Sequence, residues 1–359
     1  MSVSPRPEPI DWDLAQRVAV RVAGTEPLAA SYHYDSLAPD FAELTATAEE
    51  LVADETGLRS LSGPARARVV HRADWVRANV ASFRRLLRPL TDRLAERLPA
   101  RGMVTPVASR LAGMEVGTLL GWMSTRVLGQ YDLLVIEDED PDEQDVVYYV
   151  GPNVLALEKR FAFPPREFRL WLSLHEVTHR AQFTGVPWLR EHFLGLVHAS
   201  IEAVDPDPRR LLYALQRSAE SLRDGRNPLD EGLMGLFATP EQRHVLDQIG
   251  GLMSLLEGHG DITMDRAGAD RIPNAARFGR VLRQRRAQAA GLTKLVQKLL
   301  GLEAKLAQYE QGERFIEAVE AAAGPDAVNR AWEGPEALPD LSEIRQPQQW
   351  LTRHGLVAA

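Results

Sequence analysis

Phe163-Pro-Pro-Arg-Glu-Phe-Arg-Leu-Trp-Leu-Ser-Leu-His-Glu-Val-Thr-His-Arg-Ala-Gln-Phe183 carries two histidines four residues apart, His175 and His179, with Glu176 directly after the first. A four-residue separation on a helix puts two side chains on one face, about one turn apart, so both imidazoles can reach a single ion. Glu176 then projects sideways, toward the place where water on that ion would sit. This is the H-E-x-x-H pattern, in which two histidines hold zinc and the glutamate takes the proton of the attacking water. The chain has no cysteine, so any metal site must be built from His, Asp and Glu.

Two imidazoles do not complete a catalytic zinc site, which takes a third protein ligand and keeps a fourth position open. The extended form with a third histidine six residues past the second is absent, because Gln182 and Gly185 stand where a local continuation would be read. Further on, the apolar run Gly250-Gly-Leu-Met-Ser-Leu-Leu-Glu-Gly-His-Gly-Asp-Ile-Thr-Met-Asp265 abruptly carries Glu257, His259, Asp261 and Asp265. Glu257 and Asp261 lie one turn apart, an arrangement in which the glutamate ligates zinc and the aspartate accepts a hydrogen bond from a ligating histidine. His259, two residues from Glu257, projects from nearly the opposite side of a regular helix, so one of the two faces the metal and His259 is the alternative third ligand. His192 and His198 are further alternatives within reach, though such residues are more often surface or satisfied core histidines.

His175-Glu-Val-Thr-His-Arg-Ala-Gln-Phe183, Leu256-Glu-Gly-His-Gly-Asp261 and Gln308-Tyr-Glu-Gln-Gly-Glu-Arg-Phe315 together resemble a zincin-like metallopeptidase family common in actinobacteria. Its members are described as zinc-dependent metalloproteases or as proteins associated with biosynthesis of a deazaflavin coenzyme. The likeness runs from about residue 100 to residue 351. It implies a zincin-type core and carries His175, Glu176 and His179 over as the metal and base positions. Better-known zincins with a glutamate ligand place it closer to the motif, whereas here it follows 257 − 179 = 78 residues later. The helices between, roughly residues 191–250, read as an insertion relative to that pattern.

The elements that must position these residues are mostly helical, with apolar residues three and four apart over most of the chain. Residues 12–23, 40–58 and 64–98 read as helices of an N-terminal portion spanning 1–100. Arg66, Arg68, Arg72, Arg77, Arg84, Arg85 and Arg88 form the solvated face of the last of these. A helix over 111–128 contains Gly113, Gly117 and Gly121, small enough to let a neighbour approach closely. Pro164 and Pro165 suit the first turn of the motif helix, and Gly185 with Pro187 stops it. Strand character is confined to 131–157: the apolar run 132–137, an acidic turn with Asp138, Asp140, Asp142 and Asp145, and the β-formers Val146 to Val150. That turn lacks the glycine and terminal glutamate of an EF-hand loop and reads as solvated. The tail from Glu333, with Pro335, Pro339 and Pro347, reads as a surface strap ending in a short helix. The expected class is therefore mainly α, α+β and zincin-like: a helical N-terminal portion, then a catalytic domain over 101–359 with a small sheet.

Acidic residues outnumber basic ones, 50 to 42, giving a net charge of −8, which argues against a nucleic-acid or anionic-membrane surface. No stretch reaches the about 18 uncharged apolar residues of a membrane span, the opening residues lack a signal-peptide core, and a cytoplasmic protein is expected. No glycine-rich phosphate loop is present. The expected activity is amide hydrolysis of a peptide or protein substrate, with Zn2+ as cofactor. Val146–Val150 would serve as an edge strand for an extended peptide, and Tyr148, Tyr149 and Tyr309 are candidate oxyanion donors. Two other readings stay open: a zincin-shaped binding or scaffold protein without catalysis, and a small-molecule metal hydrolase linked to coenzyme metabolism.

Overall fold

The computed structural model describes residues 8–26, 28–97, 106–131, 145–202, 240–287 and 302–357. The chain forms two compact units, residues 1–185 with 266–275, and residues 186–265 with 276–359.

The first unit holds helices α1 (Trp12–Ala23), α2 (Tyr32–Asp35) and α3 (Leu37–Thr56), strand β1 (Arg66–Val70), helices α4 (Arg72–Arg97) and α5 (Pro106–Ser124), strands β2 (Gly129–Tyr131) and β3 (Val146–Val150), and helices α6 (Gly151–Phe161) and α7 (Pro165–Gly185). The strands order as β1-β3-β2, with β1 parallel and β2 antiparallel to β3. Every residue of β3 is buried, as expected of a strand paired on both sides and covered on both faces. Its alternation divides the core into two layers. Val146, Tyr148 and Val150 pack with Trp12 and Ala19 of α1, Trp75, Val76 and Val80 of α4, and Leu120 of α5. Tyr149 points the other way, stacked on Phe41 of α3 at 3.8 Å between ring centroids and hydrogen-bonded to Thr45 of α3 and Ser173 of α7.

Three sequence expectations change here. Arg66 to Val70 is a strand, not the start of a helix, and α4 begins only at Arg72. Arg72 itself is no solvated residue, since its Nε donates to Asn153 and its Nη1 to the carbonyl of Ala23. Val146–Val150 is not an edge, because β1 and β2 already pair with it on either side. The apolar run 132–137 and Asp138, Asp140 and Asp142 lie outside the described residues. Residues 113, 117 and 121 behave as expected: a Cβ on Gly113 or Gly121 would stand 2.5 Å from a backbone oxygen of Asp11 or Ala19, so α1 and α5 meet backbone to backbone. Asp11 caps α1 by accepting the Leu14 N–H at 2.9 Å.

The second unit contains α8 (Leu189–Glu202), α9 (Pro240–Gly268, up to Asp265), α10 (Ala275–Ala287, from Ala276), α11 (Leu302–Ala323) and the short helices α12 (Leu341–Arg345) and α13 (Pro347–Arg353). Leu255 of α9, Phe315, Ile316 and Val319 of α11, Ile344 of α12 and Trp350 of α13 form its core. The tail is thus packed structure rather than a loose strap: Trp350 is fully buried and donates to the carbonyl of Ala337. Asp340 and Glu343 form a capping box that starts α12. Helices α9 and α11 cross at Gly258 and Gly312, where a Cβ on Gly258 would come within 3 Å of Gly312 and Glu313 backbone. Most of the expected insertion, residues 203–239, lies outside the described residues. The overall class is the expected one, mainly α with a small mixed sheet. No helix among the described residues is long and apolar enough to cross a membrane.

Candidate metal centre

Helix α7 is built to hold a few polar groups rigidly. From Phe168 to Thr184 every residue is buried except His175 and His179, which are partly open. The helix packs on α3 and on the sheet, so the two imidazoles occupy its one open face. Their Nε2 atoms lie 3.3 Å apart, with the rings edge to face at 81°. Two nitrogens each about 2.1 Å from a tetrahedral zinc would be separated by roughly 3.4 Å, so the pair is spaced for one ion. The Nδ1 of His179 faces the Gln182 Oε1 at 3.0 Å. That oxygen only accepts, which places the ring hydrogen on Nδ1 and leaves the Nε2 lone pair for a metal.

Glu176 is 7% exposed, and its Oε2 accepts the backbone N–H of Tyr131 on β2 at 3.1 Å. One residue past His179, Arg180 is 1% exposed and fixes the helix to its surroundings. Its Nε and Nη2 reach both Asp145 oxygens at 3.0 and 2.6 Å, Nη1 reaches Glu49 at 2.6 Å, and Nη2 also donates to the Gly63 carbonyl at 2.7 Å. Asp145, expected in a solvated turn, is therefore a buried guanidinium's partner at the entry to β3, where it holds a positive φ of 55°.

On α9, Glu257 and His259 are 8% and 7% exposed. The His259 ring meets Trp332 edge to face at 5.3 Å. Asp261 hydrogen-bonds Glu313 of α11; burial raises the Glu313 carboxyl above the usual carboxylate range, while Asp261 and the Arg283 guanidinium oppose that rise. Within the first unit, His175 and His179 offer two ligand nitrogens to one ion; Glu257, expected as the third ligand, lies on α9 in the second unit. His192 on α8 is half-buried with its ring edge toward Trp188, and burial lowers its pKa; His198 is exposed. Of the tyrosines, Tyr149 is fully buried and engaged with Thr45 and Ser173, and burial drives its pKa far up. Tyr148 sits in the core under Arg68, whose guanidinium carbon is 5.9 Å from its ring. Tyr309 lies in α11, outside the residues whose side chains are described.

Sequence reasoning passed over Gln182, the Tyr131 amide and Arg180 as parts of the site. Gln182 and Arg180 lie within one turn of His179 and could be found by spacing; the amide could not, since no residue type announces it.

An H-E-x-x-H helix packed beside a small mixed sheet defines a protein of the zincin type. The chain belongs to the zincin-like metallopeptidase family, whose profile matches residues 10–351, and that family implies a metal ion. Among solved structures it is similar to a provisionally assigned hydrolase with a novel fold from Chloroflexus aurantiacus. The two share 33% identity over 97% of this chain and 100% of that one, with a TM-score of 0.72. No curated protein matches.

Proposed function

We propose that this protein is a zinc-dependent hydrolase that cleaves amide bonds in peptides. The observation that carries the reading is the imidazole pair at 3.3 Å on the open face of a buried helix, with the Glu176 carboxylate fixed beside it. His175 and His179 would hold the ion, with Glu257 as the third ligand that the sequence pattern suggests, and this all-nitrogen-and-oxygen donor set suits zinc. Bound zinc supplies Lewis acidity, which polarises the scissile carbonyl and acidifies water. Glu176 accepts the proton of the attacking water and passes it to the departing amine, a contribution of about 10²- to 10⁴-fold to rate. Gln182 keeps His179 in the tautomer that presents Nε2. An extended peptide pairs with β2, an edge among the described strands, because that edge borders Glu176 through the Tyr131 amide. The family and the similarity to a provisionally assigned hydrolase support the same reading.

The test is elemental analysis of purified protein combined with digestion of a peptide library. The wild type should carry about one zinc per chain and cleave peptides. His175→Ala should lose both, and Glu176→Gln should keep zinc while losing cleavage. Full zinc in His175→Ala, or unchanged cleavage in Glu176→Gln, overturns the proposal.

A further inference from the structure

Gly129 opens strand β2, and its φ is not one that demands glycine. Steric space gives the reason for glycine there. A Cβ at position 129 would stand 2.6 Å from both Cγ and Oε1 of Glu176 and 2.8 Å from its Cδ. All three nearest atoms belong to that one side chain. The same carboxylate is held two residues along the strand by the Tyr131 N–H at 3.1 Å. Glu176 thus lies flat along the backbone of β2, touching it at 129 and hydrogen-bonded to it at 131.

We propose that Gly129 is a positioning residue for the proton acceptor: the missing side chain at 129 sets where the Glu176 carboxylate lies. The inference rests on the catalytic reading of Glu176 given above. A side chain at this position strikes the Glu176 side chain from Cγ outward, in contrast to Gly113 or Gly121, where the nearest atom is a backbone oxygen. The strand can therefore stay in place while the carboxylate swings off the Tyr131 amide. Residue 129 then acts on the chemistry through Glu176 and touches no substrate itself.

The experiment compares the full chain with Gly129→Ala in three measurements: zinc content, hydrogen exchange at the Tyr131 amide by NMR, and peptide hydrolysis resolved into kcat and KM. Zinc content should be unchanged, Tyr131 exchange should quicken at least tenfold, and kcat should fall about 100-fold with KM within threefold, since proton acceptance is lost and binding is not. Wild-type exchange at Tyr131 together with wild-type kcat overturns the inference. Should Gly129→Ala fail to fold, Glu176→Asp in the same background removes one methylene from the contact and should restore folding; a double variant that stays unfolded also overturns it. Should the wild type hydrolyse no peptide, the catalytic reading fails, while Tyr131 exchange still reports whether residue 129 places Glu176.

Discussion

At the scale of single residues, the site divides into groups that residue type announces and groups that only a neighbour reveals. His175, Glu176 and His179 were legible because helical periodicity converts their spacing into one face, and the structure leaves that face partly open along an otherwise buried run. Gln182 was visible but mute: three residues past His179, an amide is as often a core hydrogen-bonder as a histidine's partner. Its role follows from the 3.0 Å contact with Nδ1. Gln182→Leu keeps the volume and removes the acceptor, so His179 loses its fixed tautomer; zinc affinity measured by competition with a chelator should fall about 10- to 100-fold. Unchanged affinity would show that the bond does no more than fill space. His259 makes the opposite case. Its ring rests against Trp332 within its own unit, so His259→Ala should lower the urea midpoint, with zinc affinity changing less than threefold.

At the scale of elements, the helices were easier to read than the strands, and the reason is locality. The α1 boundaries and the glycine face of α5 follow from caps and periodicity within a dozen residues. β1 did not, because Arg66-Ala-Arg-Val-Val70 is too short for a clear alternation and its partner β3 begins 146 − 66 = 80 residues later. Once β1 pairs with β3, the strand that composition marks as richest in β-formers becomes the interior of the sheet, and among the described strands the edge beside the site is the three-residue β2. The α1–α5 contact supports a prediction about stability alone. Gly121→Ala gains helix propensity, but its Cβ would meet the Ala19 carbonyl at 2.5 Å and the Val22 Cβ at 2.6 Å. Backbone cannot give way as a side-chain end can, so the two helices must separate. Urea unfolding should show a loss of about 1–3 kcal/mol, with zinc stoichiometry unchanged. A neutral or stabilising result would mean that the helices are not in backbone contact.

At the scale of the whole molecule, the division into units was hidden from any linear reading, because residues 266–275 rejoin a unit otherwise made of 1–185. A returning segment of ten residues leaves no mark in composition. Titration, however, sums over the chain, and two histidines give it a direction. His354 follows α13 and rests on Trp350, with ring centroids 4.4 Å apart, and its Nε2 is buried with no hydrogen-bond partner among the described residues. Burial lowers its pKa below 6.5; Arg353 and Arg330 push the same way, while Glu343 and Glu333 oppose. Burial likewise lowers His192. In both cases the unfolded chain binds a proton at a pH where the folded chain does not, so stability is fully present above about 6.5 and is lost as pH falls through the unfolded value toward the folded one. His354→Gln removes one of these two contributions and leaves that of His192. Urea midpoints measured at pH 7.5 and pH 5.0 should therefore differ less in His354→Gln than in the wild type. Equal pH dependence in the two proteins would show that His354 is protonated as readily folded as unfolded, and that the packing of α13 does not sense its charge.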